Sequence, residues 1–344
     1  MSVTARIRQR SIFKKKLNRD DILQLTGLAY GVSDENFVLC RGEKADHTLI
    51  YDETKLARGL DLWLEDTDIL LSLSLPTSPS EIRLFYEVIA KICGRLNTSR
   101  YLREDVQAAI SESETYIKWD EDASRMALED IEEKTGDAYK RFELFGVFNP
   151  ISIGQRELAK IHQNPENLEA FLNEIQSQDV YYAAPHVFRR KATDQLLGVY
   201  SVAADIPCVV PTEPHIVLNQ IKGIEEWYVM VRSEKTVKYK DFINNVKNRQ
   251  YYDANHVIVL LNAMILTICW VHIPQSCNAF SRPRHCPLPY TVKAAHDPRP
   301  DSDSVSAFSN SDAPPVSNSQ ALDNNAPTRL KRAGAFSVCC YIRL

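Results

Sequence analysis

Three cysteines and two histidines fall within eighteen residues, in the order Cys269, His272, Cys277, His285 and Cys286. Thiolate and imidazole are the ligands zinc prefers, and a tetrahedral site commonly joins two close pairs across a loop. Cys269 and His272 supply one such pair. The second is missing: His285 and Cys286 are adjacent, which strains joint ligation, and no C-x2-C or H-x3-5-H pair follows. Cys269 and His272 also sit in an apolar run that would bury them. The five residues are candidate metal ligands, and the expectation is that neither metal nor another cofactor is bound.

Other chemistry-bearing side chains stand alone. His186 falls in a strand pattern, His215 and Glu213 flank the "PTEP" turn, and Tyr182 lies in an aromatic strand with Tyr181. An imidazole, a carboxylate and a phenol perform general acid–base work only when they converge in one concave pocket. The sequence contains no G-x-G-x-x-G, P-loop, H-E-x-x-H or G-x-S-x-G. With 11 glycines in 344 residues it is also poor in the residue that phosphate-cradling loops require. The acidic pairs Asp120–Asp122 and Asp130–Glu133 read as a solvated helix face, since helical neighbours point in different directions and no histidine supports them. A non-catalytic protein-interaction module is therefore expected. The alternative is an enzyme whose dispersed site lies on the hairpins of 180–230, and a lesser alternative is a zinc-binding or membrane-associated tail.

Charge divides the chain. Residues 1–265 hold 33 Lys and Arg against 40 Asp and Glu, whereas 266–344 hold 8 against 5, with no glutamate, five of eight cysteines and nine of seventeen prolines. The overall charge of −4 gives no general attraction to nucleic acid or to an anionic membrane. Seven basic residues precede Asp20 and read as the solvated face of a hairpin. They have no apolar stretch behind them, so no secretory leader is expected, and Cys40, Cys93 and Cys208 read as buried thiols of a cytoplasmic protein.

The elements that must position these groups are visible as periodicities. Val3, Ala5 and Ile7 alternate with polar residues as in a strand, and residues 18–25 read as a helix ended by Gly27. "FVLC" and "HTLIYDE" read as paired strands. Ile69, Leu71, Leu73 and Leu75 share a strand face. Ser78, Pro79 and Glu81 form a capping-box start for a helix with its stripe at Ile82, Phe85, Ile89, Ile92 and Leu96. Residues 101–176 read as mostly helical, and Asn164 and Pro165 start a helix that buries Leu168, Phe171, Leu172 and Ile175. From 180 the period returns to two: a hairpin, the proline-bounded edge strand "IPCVVP", a second hairpin ("EEWYVMV", "TVKY"), a short helix and the strand "HVIVLL". Strands and helices occur in blocks, which predicts an α+β fold of mostly antiparallel sheets packed with helices. The expected divisions are 1–100 (α+β), 101–176 (helical), 177–262 (β-rich with a short helix) and 263–344. That last segment is polar, aperiodic and proline-rich, and is expected to be a largely disordered tail outside the ancestral fold.

Three stretches, "LTGLAYGVSDENFVL", "SLSLPTSPSEIRLFYEVI" and "CVVPTEP…EEWYVMV…KYKDFINNVK…YYDANHVIV", resemble an uncharacterised family of bacterial cytoplasmic proteins of roughly three hundred residues, a domain of unknown function. The resemblance covers about residues 1–262. It implies no activity and no functional residues.

Overall fold

The computed structural model describes residues 1–9, 16–65, 67–137, 141–190, 193–217, 221–231, 235–261 and 277–279. The first sheet begins with β1 (Ser2–Arg8). After helix α1 (Arg19–Thr26) come β2 (Ala29–Ser33), β3 (Leu39–Arg41), β4 (His47–Tyr51), β5 (Leu60–Glu65) and β6 (Asp68–Ser74). Helix α2 (Pro79–Leu96) then leads into the hairpin β7 (Arg100–Arg103) and β8 (Val106–Ala109). Its eight strands run β3-β2-β4-β5-β6-β1-β7-β8, all antiparallel. Ile69, Leu71 and Leu73 point from β6 toward Ile82, Phe85, Ile89 and Ile92 of α2, all fully buried. Each such side chain contributes about 1.5–3 kcal/mol by leaving water.

Helix α3 (Ser113–Asp137) precedes the hairpin β9 (Phe142–Phe145) and β10 (Pro150–Ile153). Helices α4 (Gln155–Ile161) and α5 (Pro165–Gln176) follow. The rest is β-rich: β11 (Tyr181–Tyr182), β12 (Pro185–Arg190), β13 (Leu196–Val202), β14 (Cys208–Pro211), β15 (Ile224–Val231) and β16 (Lys235–Lys238). Helix α6 (Tyr239–Asn245), β17 (Arg249–Tyr251), β18 (His256–Val259) and β19 (Cys277–Ala279) complete it. One sheet is ordered β11-β14-β18-β17 and the other β16-β15-β13-β12-β19. The β11–β14 and β13–β15 pairs are parallel, the remaining pairs antiparallel, so the fold is α+β with mostly antiparallel sheets.

Several local expectations are corrected. "FVLC" and "HTLIYDE" are not neighbours, because β2 lies between their strands and pairs with both. Its Gly31 allows this: a Cβ there would come within 2.6 Å of the Cys40 carbonyl oxygen. The "IPCVVP" strand is central, flanked by β11 and β18, with Pro207 and Pro211 at its limits where no ladder bond is lost. Residues 101–176 contribute the β7–β8 and β9–β10 hairpins as well as helices. Ser78 does cap α2 by accepting from the Glu81 N–H, but the Glu81 carboxylate turns away. It accepts from the Arg58 and Gly59 amides and the Thr77 hydroxyl, fully buried, and burial raises its pKa. Asp120 is likewise no solvated acid. It is buried between α3, α2 and β7, accepting from Arg103 and from the Tyr86 hydroxyl. The solvated reading failed because a carboxylate that meets a guanidinium and a phenol can be buried at small net cost.

Candidate functional site

The densest buried polar network joins the β9–β10 hairpin to the β14–β18 sheet. Its centre is Asp253, fully buried in the turn before β18. Asp253 accepts the backbone N–H of Ser152 (2.9 Å), of Asn255 (2.9 Å) and of His256 (2.7 Å). It also faces His256 Nδ1 at 2.8 Å. A carboxylate only accepts, so Nδ1 donates, and Nε2 meets the Tyr182 hydroxyl at 3.1 Å. The result is an Asp253–His256–Tyr182 chain with its ring orientation fixed by hydrogen bonding. Tyr182 is buried at the far end, and burial raises its pKa.

Around this chain sit further polar groups. Ser152 donates its hydroxyl to Glu143 at 2.7 Å, while the second Glu143 oxygen is buried without a hydrogen-bond partner among the described residues. Burial raises the Glu143 pKa, and Asp253 adds to the effect. The His215 ring lies 5.9 Å from that of His256, its Nδ1 3.3 Å from Asn255 Nδ2, and its backbone is held by the Tyr200 hydroxyl. Arg141 donates to Asn255 Oδ1 at 2.8 Å and reaches the exposed Glu213 at 3.4 Å.

Two of the four residues proposed for acid–base work, Tyr182 and His215, thus stand beside a histidine that the sequence left inside a strand, while the exposed Glu213 carboxylate reaches only Arg141. His186 does not join them: it is exposed on β12, opposite Val199. The missed signal was Asp253-x-x-His256 in "YYDANHVIV", a carboxylate one turn ahead of an imidazole. The network resembles a proton relay in order, yet it lacks an open end. Glu213 lines a concavity of about 510 Å³ whose other walls include Trp227, Lys238 and Tyr239. The geometry suits a structural tie, in which each bond fixes the hairpin to the sheet.

Of the candidate metal ligands, Cys269, His272, His285 and Cys286 lie outside the described residues, and Cys277 begins β19, which pairs with Arg190 on β12. Among the described residues no cluster of His, Cys, Asp and Glu has the makings of a metal site, and no helix is long and apolar enough to cross a membrane. The reading of 263–344 as a disordered tail also falls outside the described residues, apart from Cys277–Ala279, which form β19 against β12.

The surface holds a different feature. On α3 the positions 115, 119, 122, 126, 129 and 133 form one helical face, and on it Trp119 is 56% and Met126 66% exposed. Asp122, Glu129 and Glu133 accompany them, all exposed.

A family model described as a domain of unknown function (DUF4299) matches residues 2–266, a span that contains the whole buried network and α3. No curated protein and no solved structure matches the chain.

Proposed function

The chain belongs to that family, and we propose that it works without catalysis, as a cytoplasmic module that docks a partner protein through the outer face of α3. One observation carries this: a tryptophan and a methionine stand exposed two helical turns apart, about 10 Å along the axis. Large apolar side chains in water give up hydration free energy when covered, and tryptophan is prominent among residues that dominate interfaces. Asp122 between them, itself paired with Arg125 at 2.8 Å, and Glu129 and Glu133 beyond Met126 give the face its sign. The fitting partner is a basic amphipathic segment whose apolar side meets Trp119 and Met126 and whose Lys or Arg side chains meet the carboxylates. The Asp253–His256–Tyr182 chain supports the non-catalytic half of the reading, because its three side chains are buried and bonded to one another. The thiols of Cys40, Cys93 and Cys208 support the reducing compartment.

The test is titration with a synthetic Leu/Lys amphipathic helical peptide, followed by anisotropy of a dye on the peptide. The expected result is saturable binding that weakens about tenfold in Trp119→Ala. A Leu/Glu peptide of equal length is expected not to bind. Equal affinity for wild type and Trp119→Ala, or for the two peptides, would sink the proposal.

A further inference from the structure

Between the C-terminal end of α2, β1 and β7 lies a concavity of about 820 Å³, larger than the one beside Glu213. Its wall carries Arg6, Arg8, Lys16, Arg95 and Arg100, and among the described residues it includes no aspartate or glutamate. Acids outnumber bases over residues 1–265, so five cations lining one hollow is a segregation of charge, not an average.

The fold explains how they meet. Along β1, Ile7 enters the core while Arg6 and Arg8 face outward, and along β7 the buried Tyr101 leaves Arg100 and Leu102 outward. Arg6 stands directly opposite Leu102, which puts both outward sets on one face. Asn97 takes a left-handed conformation as C-cap of α2 (φ 54°) and turns the chain into β7, so Arg95 and Arg100 flank the same opening. Arg6 is answered by Asp68 at 3.1 Å and Glu65 at 3.2 Å. Among the described residues, Arg8, Arg95 and Arg100 enter no direct ion pair, although Arg100 lies within the field of the Glu112 carboxylate. Guanidinium groups sharing a hollow repel one another unless an anion sits between them.

The remaining wall narrows the anion. Among the described residues Tyr101 is the only aromatic lining it, and it faces the core at 3% exposure, so the described wall offers no ring for a base to stack on. Gln9, Asn97, Thr98 and Gln107 add uncharged polar groups. We propose that this concavity binds a compact polyanion bearing several phosphate groups, held by charge-assisted bonds from Arg8, Arg95 and Arg100. Glycine scarcity does not oppose this, because the donors come from side chains and not from a backbone loop.

Calorimetric titration of the full chain with inorganic triphosphate tests it. Saturable binding is expected, and Arg95→Ala and Arg100→Gln should each weaken it about tenfold. The affinity should also fall as salt rises from about 50 to about 200 mM. Both side chains are exposed, so both variants should keep the wild-type melting temperature without ligand; only in wild type should triphosphate raise it. Two results would overturn the proposal: no saturable binding at low salt, or unchanged affinity in both variants. Tighter binding to a single-stranded oligonucleotide or to phosphatidylserine vesicles than to triphosphate would also overturn it, by assigning the face to an extended phosphate surface.

Discussion

Asp253 gathers four N–H groups in a site with no water-facing edge, and that density sets what its removal does. Asp253→Ala leaves those donors unpaired and is expected to cost about 3 kcal/mol or more, measured by urea unfolding. Tyr182→Phe removes one hydroxyl from the end of the chain and should cost about 1 kcal/mol. Glu143 supplies a pH test. Its folded pKa is raised by burial, so the fold prefers the protonated acid. The stability Glu143 contributes is fully present below the ordinary carboxylate range and is lost as pH rises through the folded value. Glu143→Gln, which cannot ionise, should therefore gain on wild type in paired urea melts as pH rises above the ordinary carboxylate range. A difference between the two proteins that stays constant with pH would show that Glu143 is ionised throughout. At this scale the sequence named Tyr182, His215 and Glu213 but passed over His256, because one histidine at the start of an apolar strand looks like any other core residue.

At the scale of elements, periodicity was a sound guide to what each segment becomes and a poor one to its neighbours. The helices at 18–25, 78–96 and 164–176 start at Asn18, Ser78 and Asn164 as their residue types require, since a capping side chain acts within three residues of itself. Strand order depends on distant partners, and so β2 between β3 and β4, and the central place of β14, were not visible. Two glycines separate these influences. Gly198 on β13 lies under Trp227, and a Cβ there would stand 2.2 Å from the indole. Gly198→Ala is expected to destabilise by about 1–3 kcal/mol in chemical denaturation. Gly94 in α2 has nothing within 4 Å of a built Cβ, so Gly94→Ala should stabilise by up to about 1 kcal/mol in the same measurement.

For the whole molecule, the described hydrophobic clusters close between Val3 and Leu261. A chain ending at Leu261 should accordingly stay soluble and melt in one cooperative transition by circular dichroism. It would lose β19, the three-residue strand beside β12. Aggregation, or loss of the transition, would show that the folded body needs the later residues. The sequence by itself determined the fold class, most helix starts, the inward faces of β1, β6 and α2, and the break in composition near 265. Those properties follow from alternation, capping and charge, which act over a few residues. Only the tertiary structure decided that Asp120 and Glu81 are buried, that Asp253 and His256 close on Tyr182 and Ser152, and that Arg8, Arg95 and Arg100 share one hollow. Each of these depends on groups far apart in the chain, and their energies of burial and charge exist only once the sheets have brought them together.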